Sequence, residues 1–243
     1  MISVDLDTPG RVLAIGAHPD DVEFGCGATL AKWAAVGCEV HLLVLTDGSK
    51  GSWDPTADPA TLAEARKSEQ QAAADALGAS AVRSLELVDG ELDSGRSERE
   101  LLCAAIRQAR PDVILGHDPW KRYRLHPDHR HAGRLTIDAI VAARDPHYFP
   151  ALGLAPHRPA HALLFEAEVV DHLESVDHFL DAKLTALLCH RSQWRSTMGI
   201  DVDDPALDDQ LAAFDHRVRS EAVLAGEHVG GGTFEAFKLL TDL

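Results

Sequence analysis

Short apolar runs alternate along this chain with longer stretches whose apolar positions recur at helical spacing. Val12, Leu13, Ala14 and Ile15 form a run closed by Gly16, so residues 12–18 read as a buried strand. Residues 25–36 keep Ala28, Leu30, Ala31, Ala34 and Ala35 at helical spacing, with Gly37 as the stop. Residues 39–46 (EVHLLVLT) form the clearest strand, closed by Asp47-Gly48. Strand, loop, helix and strand make a βαβ unit, which calls for a parallel sheet. The alternation continues with a loop over 49–59, an Ala-rich helix over 60–77 and a strand over 84–88 ending in the Asp89-Gly90 turn. A helix over 97–109 follows, with Ser97 as N-cap and Glu100 in the capping-box position. Then come a strand over 112–116, a loop over 117–126 and a helix over 129–143. The Pro-rich stretch 145–161 reads as irregular. It precedes a strand at 162–167, a helix at 176–192, an acidic stretch at 201–209, a helix at 211–225 and a last strand at 234–240. No internal repeat or linker interrupts the series. The expectation is one α/β domain over residues 1–243, with a mostly parallel sheet and a C-terminal elaboration.

Composition narrows the function classes. A net charge of −16 argues against a general nucleic-acid or anionic-membrane binder, which needs a positive surface. No apolar run reaches the roughly 20 residues of a membrane span, and the N-terminus lacks a basic region followed by an apolar core. Cys26, Cys38, Cys103 and Cys189 are widely spaced, with no C-x-x-C pair, and read as buried reduced thiols of a cytoplasmic protein.

The chemistry concentrates in two clusters. Gly16-Ala17-His18-Pro19-Asp20-Asp21 closes the first strand, and His126-Pro127-Asp128-His129 follows the fourth strand and its loop. Ligands in open α/β sheets bind beyond the carboxyl ends of the strands. If those two strands are neighbours, both clusters face one crevice. His18, Asp21 and His129 then supply a two-imidazole, one-carboxylate set for a borderline divalent metal, with zinc leading and iron(II) fitting the same ligands. Pro19 stiffens the turn. Asp20 remains as a spare carboxylate able to take a proton from water, and His126 stands near His129 as an acid or oxyanion partner. This is equipment for metal-assisted amide hydrolysis.

Duller readings compete. His-Pro-Asp-Asp alone could be a loop with an Asp N-cap. A dinucleotide site fails because Gly25-x-Gly27 is followed by Leu30 where a third Gly belongs, and paired Asp residues repel pyrophosphate. A magnesium phosphotransfer site uses oxygen ligands and leaves His18, His126 and His129 unexplained. His147, His157 and His161 read as solvated, and His172, His178, His190, His216 and His228 as structural or exposed.

With these residues in view, the chain resembles the LmbE-like, or PIG-L, deacetylases. The resemblance rests on Ala17-His18-Pro19-Asp20-Asp21 with Glu23 and Gly25, and on His126-Pro127-Asp128-His129. Thr46-Asp47-Gly48, Arg66-x-x-Glu69, Leu77-Gly78, Asp89-Gly90, Lys183, His190-Arg191-Ser192-Gln193 and Glu235-x-Phe237 extend it over most of the sequence. It implies a Rossmann-like three-layer fold and zinc-dependent removal of acetyl from an N-acetylated amino sugar or related metabolite. Carried over by position, His18, Asp21 and His129 are the metal ligands, Asp20 the base and His126 the second catalytic residue, with Asp128 orienting His126. Arg66, Asp89, Tyr123 and Arg124 become substrate contacts. Some members carry Tyr two residues before the second cluster; here Arg124 holds that place and Tyr123 precedes it, which argues against a mycothiol-pathway substrate. The alternatives are an amidase for a larger acyl or thiol-conjugate amide, and a non-catalytic metal-dependent sugar- or nucleotide-binding module. The expected partner is a small N-acetylated molecule, with a homo-oligomer left open.

Overall fold

A computed structural model describes residues 2–243. One eight-stranded sheet runs through it, in the order β1-β7-β8-β6-β5-β2-β3-β4. The strands are β1 (Ser3–Val4), β2 (Arg11–Gly16), β3 (Glu39–Thr46), β4 (Ala81–Leu87), β5 (Val113–His117), β6 (His161–Phe165), β7 (His172–Ser175) and β8 (Phe234–Thr241). Pairings are parallel except where β8 runs antiparallel between β6 and β7. The α/β fold with a mostly parallel sheet is therefore as expected. The sequence pattern leaves β1 and β7 unrecognised: β1 has two residues, and in β7 the apolar signal is interrupted by His172 and Glu174, which are buried and hydrogen-bond each other at 2.8 Å.

Among the described residues six α-helices cover the sheet: α1 (Asp21–Ala35), α2 (Pro59–Ala76), α3 (Arg96–Ala109), α4 (Pro127–Arg144), α5 (Leu180–Cys189) and α6 (Leu207–Gly226). Val22, Leu30 and Trp33 of α1, Ala73 of α2 and Ala186 of α5 pack on one face of the sheet. Leu102 and Ile106 of α3 and Leu135 and Ile140 of α4 fill the other. The result is the three-layer arrangement. Each sheet strand in the middle is buried on both faces, which is why β2, β3 and β5 read as continuous apolar runs rather than alternating ones.

Several helix boundaries depart from expectation: α1 begins at Asp21 rather than 25, and α6 at Leu207 rather than 211, inside the stretch read as acidic and weakly structured. α3 begins at Arg96 with Gly95 at its cap; the Ser97 hydroxyl bonds the neighbouring Glu98 carboxylate and caps nothing. The helix expected over 176–192 forms only over Leu180–Cys189, because Val176 N–H is drawn to the Thr233 carbonyl and Phe179 closes a turn on Val176. α1 carries a break at Cys26 (φ −153°). The free Ala28 and Thr29 N–H groups beyond the break donate to the Glu235 carboxylate at 3.1 and 2.8 Å. Lys183 Nζ pairs with Glu235 at 2.6 Å and donates to the Phe24 carbonyl at 2.7 Å. Gly25, just before the break, sits so close to Phe165 that a Cβ would lie 2.6 Å from the ring.

Candidate metal centre

β2 pairs with β3 on one side and with β5 on the other, so the chain order reverses between β2 and β5. Val12 lies opposite Val113 and Ala14 opposite Leu115, which brings the ends of these strands together. The first cluster leaves the end of β2 and the second opens α4 after β5. They meet over this switch point, as the sequence reading requires.

His18 Nδ1 lies 3.2 Å from His129 Nε2, His129 Nε2 lies 3.2 Å from Asp21 Oδ1, and His18 Nδ1 lies 3.4 Å from Asp21 Oδ2. A tetrahedral zinc bound at roughly 2.0–2.1 Å has ligand–ligand edges of about 3.3 Å; each imidazole lies at about that distance from one Asp21 oxygen, His129 from Oδ1 and His18 from Oδ2. Further groups with ligand atoms within 4.8 Å of one another are His18–His126–His129, Asp21–His117–His129 and His18–Asp89–Asp128. His18, Asp21 and His129 all line a cavity of about 810 Å³ that also receives Asp20, Arg66, Asp89, Arg124 and His126. His117 is not in its wall.

The electrostatics suit a cation. Burial alone would depress the His18 pKa, but Asp128, Asp21 and Asp89 outweigh it and hold the imidazole well above its usual value. Burial resists ionisation of Asp21, yet His129 and His117 keep its carboxyl well below the usual range. Asp89 is held at about 2, burial being overcome by its hydrogen bond to His18. Burial lowers both His129 and His126, so those rings are neutral. Three carboxylates thus favour a proton on His18, and a divalent cation placed among them would displace that proton and take over its charge.

Asp20 differs from its neighbours. It occupies the N-cap position of α1, but its side chain makes no capping hydrogen bond, which removes the plain N-cap reading. Burial pushes its carboxyl up to about 7, against the pull of Arg66. Arg66 Nη2 stands 3.4 Å from Asp20 Oδ2.

Other expected residues fall in unexpected places. Asp128 is fully buried and lies against His18, with Oδ2 3.1 Å from His18 Nε2; it does not hydrogen-bond His126. Gly90 N–H donates to the same oxygen at 2.7 Å. His126 is exposed at the cavity mouth, its ring centroid 4.6 Å from that of His18. Arg124 Nη2 is 2.7 Å from His129 Nδ1 and also pairs with Glu166. Were a metal held through Nε2, the ring proton would sit on Nδ1 and Arg124 would have to release this contact. Tyr123 stands apart: it is 87% exposed, with φ 62°, and does not line the cavity.

His117 escaped the sequence reading because it begins a loop in that reading and carries no neighbouring motif. It ends β5, is buried, and places Nε2 3.2 Å from Asp21 Oδ2. His157 Nε2 donates to the Pro111 carbonyl at 2.7 Å instead of standing free in solvent, and His190 is fully buried, with Nε2 3.5 Å from Glu23 Oε2, as a structural histidine. The motif around it is structural: Ser192 N–H and Oγ donate to Glu69 at 2.9 and 2.6 Å, and Gln193 donates to the Gly51 carbonyl.

An α/β fold that gathers imidazoles and carboxylates at the switch point of its sheet, beside an open cavity, could hold a metal ion there. The family model described as PIG-L: GlcNAc-PI de-N-acetylase matches residues 13–140, and the chain belongs to that family. It is 35% identical over 187 residues to a diacetylchitobiose deacetylase of Thermococcus kodakarensis, spanning 76% of this chain and 70% of that protein. It is 36% identical over 169 residues to a 1D-myo-inositol 2-acetamido-2-deoxy-alpha-D-glucopyranoside deacetylase of Kineococcus radiotolerans, spanning 57% of this chain but only 46% of that protein. In three dimensions it matches the N,N'-diacetylchitobiose deacetylase of Pyrococcus horikoshii with a TM-score of 0.85 and 30% identity, covering 96% of this chain and 84% of the other.

Proposed function

We propose that the protein is a zinc-dependent hydrolase that removes acetyl from an N-acetylated amino sugar or amino-sugar-containing metabolite. The observation that carries this reading is Asp20: a buried carboxylate in the cavity wall, free of capping duty, beside a converging two-imidazole, one-carboxylate set. His18, Asp21 and His129 would hold the metal, because they line the cavity while His117 does not. Zinc there supplies a Lewis acid for the amide carbonyl and lowers the pKa of a water; iron(II) suits the same donors.

Asp20 accepts a proton from the attacking water, and its elevated pKa places it near the value at which a general base works best. His126 is neutral and at the mouth, so it donates a hydrogen bond to the oxygen that gains charge as the carbonyl is attacked. The proton taken by Asp20 passes to the departing nitrogen, and the products are acetate and a free amine. Arg66 and Asp89 also line the cavity, Asp89 Oδ1 standing 3.1 Å from His18 Nε2, and Trp53, 84% exposed, borders it. The Trp53 ring offers an apolar face for a second sugar ring beyond the acetamido-bearing one. The names of the relatives, which carry acetylated glucosamine units, support this substrate class.

The test is release of primary amine from N,N'-diacetylchitobiose, N-acetylglucosamine and N-acetylglucosaminyl-inositol by metal-stripped and zinc-reloaded protein, with bulkier N-acyl analogues alongside. Zinc-dependent amine release from an acetylated sugar is expected. Cleavage of the bulkier amides alone would overturn the acetyl assignment, and tight sugar binding without amine release would replace catalysis by a binding role.

A further inference from the structure

Asp20 is held in a backbone conformation that L-residues avoid, with φ 99° and ψ −26°. Such a conformation is unfavourable and persists only where the surroundings impose it. The surroundings here are two side chains of one helix. Arg66 Nη2 donates to the Pro19 carbonyl, and Asp20 N–H donates to Gln70 Oε1 at 3.2 Å. Both polar groups of the single peptide unit joining Pro19 to Asp20 are thus gripped from α2. Positions 66 and 70 are four apart and share one face of that helix.

Each jaw is itself fixed. Arg66 is 3% exposed and anchors a second nitrogen on the Gly48 carbonyl at 3.0 Å. Gly48 has φ +66°, and a Cβ there would lie 2.8 Å from the guanidinium, so the approach requires glycine. Gln70 is 3% exposed, and its amide Nε2 donates to Glu23 Oε1 at 2.6 Å. A carboxylate accepts only, so Glu23 dictates the amide orientation and leaves the Gln70 oxygen facing Asp20. Glu23 is fully buried in the first turn of α1, with His190 Nε2 at 3.5 Å on its other oxygen.

We infer that Arg66 and Gln70 form a peptide clamp, locked by Glu23, whose task is to hold Asp20 at positive φ so that its carboxylate faces the cavity instead of capping α1. With an ordinary extended φ, an Asp at this position would turn its oxygens back onto the free N–H groups of the first turn. It would then cap the helix and be lost to chemistry. Gln70 and Glu23 are positioning residues in this scheme, since neither lines up with the reacting atoms. The role assigned to Asp20 rests on the deacetylase reading above; the backbone clamp does not.

The test is Gln70→Leu, with Gln70→Ala as a second variant should the first fold poorly, and Glu23→Gln as a milder variant that removes the accept-only lock while keeping the side-chain volume. The Gln70 variants are expected to lose at least tenfold in kcat, with KM within twofold and bound zinc per chain unchanged. Their crystal structures should show Asp20 at negative φ with its carboxylate on the first turn of α1. Glu23→Gln, which no longer fixes the Gln70 orientation, is expected to lower kcat in the same direction by a smaller factor, with zinc content unchanged. A kcat within twofold of wild type, a positive φ retained at Asp20, or a kcat loss that merely tracks loss of zinc would each overturn the clamp. If the wild-type protein releases no amine from any acetylated sugar, the functional reading fails instead, and the Asp20 conformation in the variant crystals still decides the clamp.

Discussion

His18 and Asp128 come from different motifs and meet side by side: His18 Nε2 lies 3.1 Å from Asp128 Oδ2, while His18 Nδ1 points to Asp21 and His129. The fully buried Asp128 carboxylate, with Asp89 Oδ1 also 3.1 Å from Nε2, favours a proton on that nitrogen and leaves Nδ1 toward Asp21 and His129, where a metal would be held.

Removing that carboxylate should loosen the metal. Asp128→Ala is expected to weaken zinc affinity by about 10- to 100-fold, the usual effect of losing a carboxylate behind a ligating histidine. A competition titration against a chromophoric chelator measures it. An unchanged affinity would mean that Asp128 serves only to hold the Gly90 backbone.

Asp20→Asn keeps the volume and the backbone contacts but cannot take a proton. It should retain zinc and lose about 10²- to 10⁴-fold in kcat, the range for a general base. His18→Ala and His129→Ala should instead lose zinc, read by elemental analysis, whereas His117→Ala should keep it.

The pH dependence follows from the same carboxyl. Burial puts Asp20 at about 7, and the base works ionised, so kcat/KM should rise with pH through that pKa and fall on acidification. A bound divalent cation favours the ionised form and shifts the limb to lower pH. The profile of the zinc-loaded protein should therefore show a single acid limb at or below about pH 7, absent from the residual rate of Asp20→Asn. A rate that climbs as pH drops would contradict the assignment.

Lys183 and Glu235 stabilise rather than catalyse. Their buried pair bridges the Cys26 break in α1. Lys183→Met leaves the Glu235 charge without its partner and should cost about 3–5 kcal/mol in urea unfolding at fixed zinc. The Lys183→Met/Glu235→Gln double variant should cost less than the two single changes summed.

Trp53 should matter only to longer substrates. Losing an aromatic contact of about 0.5–1.5 kcal/mol predicts a roughly 2- to 12-fold fall in kcat/KM for a disaccharide in Trp53→Ala, with N-acetylglucosamine unchanged. Equal losses on both substrates would remove Trp53 from the sugar path.

Much of this molecule is written locally. The runs around Val12, Leu42 and Ile114 declare buried parallel strands, and the helical spacing between them declares the layers. The two imidazole–carboxylate clusters announce metal chemistry because His and Asp at those spacings have few other uses together. The short β7 stayed hidden because its burial is polar, with His172 and Glu174 satisfying each other across one residue. Position alone also made Asp128 look like a partner for His126, two residues away in the chain, when its buried side chain turns to His18.

The sequence by itself thus determined the order of elements, the kind of chemistry and the identity of the chemical groups, since these depend on residue type and near-neighbour spacing. The tertiary structure decided which groups meet. Pairing of β2 with β5 joins residues about a hundred positions apart, and no local pattern encodes it. Only that juxtaposition brings His129 to His18, buries Asp20 enough to raise its pKa, adds His117 behind Asp21, and sets Arg66 and Gln70 on the Pro19–Asp20 peptide. Desolvation and hydrogen-bond geometry are properties of surroundings, and the surroundings of Asp20 are assembled from four separate stretches of chain.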